Sequence, residues 1–466
     1  MAAPIKACLR RAVCLNVWKT EWQPRRWASR NILGLHERGV FHSIFPEKNA
    51  PELLKLLSST PQCIYCGFDP TADSLHIGNL LPLIALLHCQ RGGHDVIALI
   101  GGATSQIGDP SGRTRDRDAI SLDNVEKNVA SLHGIISNIF TNHERYIWRS
   151  TSRKLGNVSI LNNSEWYGDE NVIQFLSTIG KCFRIGKMLQ KESVRQRLQS
   201  PEGMNLSEFT YQVFQAYDWL HLLSSHNCRI QLGGQDQMGN IDSGYELINR
   251  INGKQVFGLT VPLLTNNAGQ KMGKSTGGEV LWLHPAKTSP FEFYQYFLRL
   301  PDADVEKFVK LFTFLPDDKI ENLLRSHRLD AGLRSAQRFL AEQITILVHG
   351  EAGLELAKKC TKILYENSAE TLAELTTEEL LNLFSNAPTI ELTLEAGSTV
   401  IDACMKAKCF TREVDAERII KGGGVYINTR KVIEPDFVLI PGEHILPNHI
   451  TVIRIGKKNH YIIKWR

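Results

Sequence analysis

One stretch constrains the fold more than any other: Tyr65-Cys66-Gly67-Phe68-Asp69-Pro70-Thr71-Ala72-Asp73-Ser74-Leu75-His76-Ile77-Gly78-Asn79. Ile64 to Phe68 reads as a short buried strand that Pro70 and Asp73-Ser74 stop. Beyond Ser74 the apolar spacing turns helical at Ile77, Leu80, Leu81, Ile84 and Leu87. A strand therefore feeds a helix N-terminus, with Ser74 as the expected N-cap. Such a first turn carries unbonded N–H groups and the positive end of the helix dipole, which suits a phosphate. His76 and Asn79 stand three apart, on one helical face, so both can donate to an anion. An ordinary strand-loop-helix with a solvated histidine has the same local pattern. Pro82, inside the helix, predicts a kink or one lost backbone bond.

The following residues repeat the strand-then-helix rhythm. Asp95 to Ile100 is a continuous apolar run ending in Gly101-Gly102, as expected of a parallel strand buried on both faces. Further strands are predicted at Val158 to Leu161, at Arg229 to Leu232 before Gly233-Gly234, and around Leu259 to Leu264. The fold class is therefore α/β, with a Rossmann-like parallel-sheet catalytic domain over residues 41–290 whose strand ends converge on one site. Residues 291–386 carry helical periodicity only, and 387–397 read as a linker. Residues 398–466 combine two short helices with β-rich segments after Gly422-Gly423-Gly424, a small α+β domain. That last segment holds twelve Lys and Arg against seven Asp and Glu, so positive charge gathers where a polyanion would be steered.

A second window changes the weight of the first. Gly269-Gln270-Lys271-Met272-Gly273-Lys274-Ser275 is a glycine-rich loop with two lysines, mobile point charges for a polyphosphate. His76-Ile77-Gly78-Asn79 and Lys271-Met272-Gly273-Lys274-Ser275 together resemble the HIGH and KMSKS signatures of class I aminoacyl-tRNA synthetases. With Gly101-Gly102-Ala103-Thr104 and Gly108-Asp109-Pro110-Ser111-Gly112, the chain is similar to tyrosyl-tRNA synthetases of the bacterial and mitochondrial type. Asn79 departs from the second histidine of the first signature and Gly273 from the serine of the second. Neither change removes a group that the chemistry cannot spare.

Tyr211, Gln215 and Asp218 fall at i, i+4 and i+7 and line one helix face. The resemblance implies roles for them. Tyr65 and Asp218 would hold a substrate phenol, Asp109, Tyr211 and Gln215 its ammonium, and Gln237 would face its carboxylate, with Gly234 allowing close backbone approach. Cys66 and Asp236 would contact the ATP ribose, Gly78 would let the adenine lie on the helix, and the backbone at Leu264 would read its edge. Asp69, Thr71, His76 and Asn79 would line the nucleotide side, and Lys271 and Lys274 would close over pyrophosphate. Strand alternation itself argues against Cys66, which points away from the face of Tyr65, Gly67 and Asp69. An ionised tyrosine carboxylate needs no general base to attack the α-phosphate. Catalysis then falls to alignment and charge stabilisation by Thr71, His76, Asn79, Lys271 and Lys274.

The resemblance also implies ATP as a substrate, Mg2+ on its phosphates without protein ligands, L-tyrosine, mitochondrial tRNA(Tyr) and a homodimer. Residues 291–386 would be a helical anticodon-binding domain, and 398–466 would resemble the RNA-binding fold of ribosomal protein S-four. Residues 1–40 carry eight Lys and Arg against two Glu, with no acid before Glu21, which fits a mitochondrial presequence and the matrix. The same composition suits a basic tail that binds nucleic acid. Ten scattered cysteines read as reduced thiols, and the apolar runs are far shorter than a membrane span. Three rivals stand beside this reading: a tryptophanyl-tRNA synthetase, a small nucleotidyltransferase, and a catalytically silent RNA-binding protein with the same fold.

Overall fold

In the computed structural model the described residues are 30–113, 115, 120–148, 154–265, 280–366, 372, 376, 379–380, 387–395, 397–456 and 459–466. Most of the predicted presequence, together with Lys271 and Lys274, lies outside them. Two compact units are present. One runs to Thr288 and takes in Tyr296–Gly350, and the other joins Ser289–Gln295 to Glu351–Arg466.

The first unit begins with β1 (Ser43–Phe45), α1 (Ala50–Ser59), β2 (Cys63–Phe68), α2 (Ile77–Arg91), β3 (Asp95–Ile100) and α3 (Leu122–Asn142). It continues with β4 (Val158–Asn162), α4 (Leu206–His226), β5 (Cys228–Gly234), α5 (Met238–Ile251) and β6 (Phe257–Val261). The strands form one six-stranded sheet in the order β1-β6-β5-β2-β3-β4. Strands β2 to β6 are parallel, and β1 closes one edge antiparallel to β6. Strand order reverses between β2 and β5, so the crevice of an open α/β sheet opens beyond the carboxyl ends of those two strands. The sequence motifs at residues 65–79 and 233–237 sit there.

Burial explains why these segments take these shapes. On one sheet face Tyr65, Ile97 and Leu99 pack with Trp219, Leu222 and Ile248 from α4 and α5. Helix α2 is buried at nearly every position from Leu80 to Gln90, as an apolar helix without a polar face must be. It runs unbroken through Pro82, whose ring removes only the bond to the Gly78 carbonyl.

Three details differ from the sequence expectation. Ser74 is not the N-cap: α2 is capped by His76, and Ser74 is buried with its hydroxyl donating to the Leu75 carbonyl at 2.8 Å. Strand β6 ends at Val261, earlier than expected, because Pro262 has no N–H for the ladder. Three residues, Ser-Ile-Phe, are too few to show a period, and β1 therefore escaped the reading.

From Pro290 the chain is helical: α6 (Pro290–Leu298), α7 (Asp302–Phe312), α8 (Asp317–Leu329) and α9 (Ser335–Glu366). Within α9, Gly350 has φ +69°, a left-handed value that glycine tolerates and a side chain does not, and the regular helix breaks there. Among the described residues no helix is long and apolar enough to cross a membrane.

In the second unit β7 (Thr389–Leu392), α10 (Val400–Lys406), α11 (Glu413–Lys421), β8 (Val425–Ile427), β9 (Arg430–Val432), β10 (Ile450–Ile455) and β11 (Asn459–Trp465) build a five-stranded sheet with two helices. The order is β7-β11-β10-β8-β9. β7 lies in the stretch read as a linker and pairs parallel to β11. Asn428 and Thr429 both have positive φ and turn the β8–β9 hairpin.

Candidate functional site

The carboxyl ends of β2, β3, β4 and β5 and one face of α4 bring together three carboxylates, Asp69, Asp109 and Asp218, all from the first unit. Each is held by neutral donors.

Asp218 is 3% exposed on α4. Its Oδ2 accepts from Asn163 Nδ2 at 3.1 Å and its Oδ1 from Trp166 Nε1 at 2.9 Å. Burial pushes its carboxyl up to about 7, against the pull of those donors. Tyr65 on β2 is buried, and its hydroxyl makes no hydrogen bond among the described residues. Burial and then the nearby Asp218 charge raise the Tyr65 phenol well above its ordinary value, so it stays a neutral donor. A buried hydroxyl beside a buried carboxylate is a recognition pair for one further polar group.

Asp69, at the end of β2, accepts from Thr104 Oγ1 and from Tyr211 Oη, both at 2.8 Å. A Cβ at residue 101 would lie 2.0 Å from Asp69 Oδ1 and 2.3 Å from Thr104 Oγ1, so glycine there is a condition of this pairing. Asn163 ties the two carboxylates together: its Nδ2 also donates to Thr104 Oγ1 at 3.0 Å, and its Oδ1 accepts from Ala103 N at 2.7 Å. Asp109 accepts from Gln237 Nε2 at 2.7 Å, from Ser111 N at 3.0 Å and from Asn240 Nδ2 at 3.4 Å. Gln215 is half-buried one turn beyond Tyr211 on the same helix.

The opposite wall is built from a turn. His76 Nδ1 accepts from Gly78 N at 3.0 Å, and Asn79 Oδ1 accepts from His76 N at 3.1 Å, a reciprocal capping box. The cap assigns the imidazole proton to Nε2. Asn79 therefore spends its carbonyl on the cap and keeps its amide N–H groups as donors. A Cβ at residue 78 would meet the His76 ring at 2.8 Å, so Gly78 makes room for the cap itself. Thr71 is half-buried, with its N–H on the Asp69 carbonyl at 2.8 Å. Cys66 is buried on the sheet face opposite Tyr65, and burial, then Asp236, push its thiol up. Asp236 is exposed, and a Cβ at Gly234 would come within 2.3 Å of its Oδ1. Leu264 is buried just after β6, and Lys307 Nζ donates to the next carbonyl, Thr265, at 2.6 Å.

Sequence reasoning separated Asp69 from Tyr211, placing one on the nucleotide side and one at the ammonium, yet they are hydrogen-bonded. It missed Thr104, Asn163, Trp166 and Asn240. The polar run Asn162-Asn163-Ser164 directly after a strand was the available signal.

Two family models match the chain. Residues 58–366 match tRNA synthetases class I (W and Y), and residues 379–463 match the tyrosine–tRNA ligase SYY-like C-terminal domain. The mitochondrial tyrosine–tRNA ligase of Drosophila melanogaster is 49% identical over 445 residues, covering 95% of this chain and 96% of that protein. The Homo sapiens mitochondrial tyrosine–tRNA ligase is 48% identical over 433 residues, 92% of this chain and 90% of that protein. A crystal structure of a C-terminally truncated Aspergillus nidulans mitochondrial tyrosyl-tRNA synthetase superposes with TM-score 0.65 at 29% identity, covering 78% of this chain and all of that one.

Proposed function

The chain belongs to the class I tyrosine–tRNA ligases, and from that premise we propose that its three-carboxylate crevice takes L-tyrosine while the N-terminus of α2 takes ATP. The enzyme attaches tyrosine to tRNA at the expense of ATP, and it is mitochondrial. The observation that carries the site assignment is the buried Tyr65 hydroxyl, without a partner among the described residues, next to Asp218. A substrate phenol donates to the Asp218 carboxylate and accepts from Tyr65, and phenylalanine would leave both unpaired.

The ammonium lies against Asp109, Tyr211 and Gln215, with Asp69 behind Tyr211, and Gln237 faces the substrate carboxylate. That carboxylate attacks the α-phosphate, forming tyrosyl-adenylate and pyrophosphate. No protein nucleophile is needed, because tyrosine is already ionised. Thr71, the His76 Nε2–H, the Asn79 amide, Lys271 and Lys274 meet the growing charge on the phosphates. Mg2+ travels with the ATP, whose phosphate oxygens are its natural ligands. Cys66, Gly78, Asp236 and the backbone at Leu264 take the nucleoside. A ribose hydroxyl at the 3′ end of tRNA(Tyr) then accepts the acyl group.

The same proposal places the enzyme in the matrix after loss of residues 1–40. Residues 291–386 and 398–466 are assigned to tRNA. It also pairs two copies, for which Val172, Ile173 and Leu176, each more than half exposed on one short helix, offer apolar contact. The test is ATP–pyrophosphate exchange by residues 41–466 with tyrosine, phenylalanine or tryptophan. Exchange with tyrosine alone, lost in Asp218→Ala, supports the assignment. Exchange with tryptophan, or with no amino acid in folded protein that binds RNA, rejects it.

A further inference from the structure

We propose that Trp282 and Lys287 are positioning residues that hold the His76 imidazole in its working orientation. The inference rests on reading His76 as a residue that meets ATP.

Residues 281–288 form a strap across the turn that enters α2. Ile77 N donates to the Leu281 carbonyl at 3.0 Å and Leu283 N to the Leu75 carbonyl at 2.8 Å, with His76 and Trp282 facing each other in an antiparallel bridge. Opposed residues in such a bridge project to the same side, and the two rings lie 6.3 Å apart at a 52° tilt. The strap is tied to the turn and closed on itself. His284 N donates to Ser74 Oγ at 3.1 Å, and Trp282 N donates to Thr288 Oγ1 at 3.0 Å.

Lys287 completes the clamp. Its Nζ sits 5.0 Å from the Trp282 ring centroid and 2.6 Å from Asp73 Oδ1, three residues before His76. One cation thus holds the indole and the entering turn together. The imidazole is then limited from two directions: its Nδ1 by the Gly78 N–H, and its ring by the indole. Stability alone does not account for this arrangement. The side chains of Lys287 and Asp73 are 34% and 56% exposed, and an ion pair so solvated adds little to folding. Its geometric effect on a charge-stabilising donor is much larger, because small misplacements near a reacting group cost rate steeply.

The experiment compares Lys287→Met, Lys287→Arg, Trp282→Ala and Trp282→Phe in the full chain, by ATP–pyrophosphate exchange and thermal unfolding. His76→Ala serves as reference. Lys287→Met and Trp282→Ala are expected to lower kcat about tenfold to a hundredfold with the KM values for ATP and tyrosine changed less than about threefold. Lys287→Arg and Trp282→Phe, which keep a cation and a ring, are expected to restore most of kcat. Combining Lys287→Met with His76→Ala should add little to the loss from His76→Ala alone. An unchanged kcat in Lys287→Met overturns the inference. So does a rise in the KM for ATP at constant kcat, the mark of direct contact with the nucleotide. So too does a loss of kcat that follows thermal instability alike in all four variants. Failure of the underlying reading looks different: His76→Ala itself would then be without effect.

Discussion

The two walls of the crevice solve opposite problems. The wall proposed for tyrosine is made of side chains bonded to one another and mostly buried, with Asp69, Trp166 and Gln237 half-buried: Asp218 to Asn163 and Trp166, Asp69 to Thr104 and Tyr211, Asp109 to Gln237. The wall proposed for the nucleotide is made of a turn, its cap and glycines, with Asp236 exposed and Thr71, His76 and Asn79 only half-buried. A phenol is distinguished from a phenyl ring by one hydroxyl, and a single hydroxyl counts most where water cannot replace its partner. A triphosphate announces itself by charge and is met by backbone N–H groups and mobile cations. On the proposed assignment, the deep burial of Tyr65 and Asp218 marks the pair that discriminates, and the half-open turn at His76 the part that meets moving charge.

The largest expected effect tests the buried wall. Asp218→Ala should lower kcat/KM for tyrosine at least a hundredfold, about the value of a hydrogen bond to a buried charge, with the KM for ATP nearly unchanged. A comparable rise in the KM for ATP would break the division between walls. His76→Ala should do the reverse, lowering kcat by about two orders of magnitude with little change in the KM for tyrosine in pyrophosphate exchange.

The pH dependence sharpens the comparison. Because the Asp218 carboxyl is pushed up to about 7, kcat/KM for tyrosine should fall with one proton as pH drops through about 7, without a matching limb in the KM for ATP. The folded state binds the proton more tightly than the unfolded chain, so Asp218 favours folding below the unfolded value. That contribution is lost as pH rises toward about 7. The stability gap between wild type and Asp218→Ala, followed by thermal unfolding, should move toward the variant between pH 5 and pH 8, by at most about 3 kcal/mol.

Asn163→Ala removes one of the side-chain donors on Asp218 and loosens Thr104. The KM for tyrosine should rise about tenfold, with kcat less affected. A comparably small effect, on kcat instead of KM, is expected for Gly78→Ala. The added methyl displaces the His76 ring, so kcat should fall by roughly tenfold, while helix propensity offsets by up to about 1 kcal/mol any loss of stability. A large drop in unfolding temperature would show that the turn is merely packed, and that the half-open wall is no different in kind from the buried one.

Much of this was legible in the residues. The run from Ile64 to Phe68 and the one from Asp95 to Ile100 are strands where the apolar pattern puts them, and Tyr211, Gln215 and Asp218 share one helix face because 3.6-residue periodicity is a local property. The conversion of Ser74 from cap to buried acceptor was not legible. It depends on His284, which lies 210 residues away. Lys271 and Lys274, given their role by the resemblance, fall outside the described residues.

By itself, then, the sequence determined the central parallel strands and the passage from β2 into a helix, since each follows from spacing within a few residues, and its motifs carried the family resemblance. Tertiary structure alone decided the partnerships. Asp69 meets Tyr211 across 142 positions, and Asn163 meets Asp218 across 55. Those distances close only because the sheet sets β2 between β3 and β5, with β4 beyond β3 and α4 packed on one face. Strand order is a global choice among arrangements that bury the same apolar residues, and local periodicity does not encode which carboxylate will find which donor.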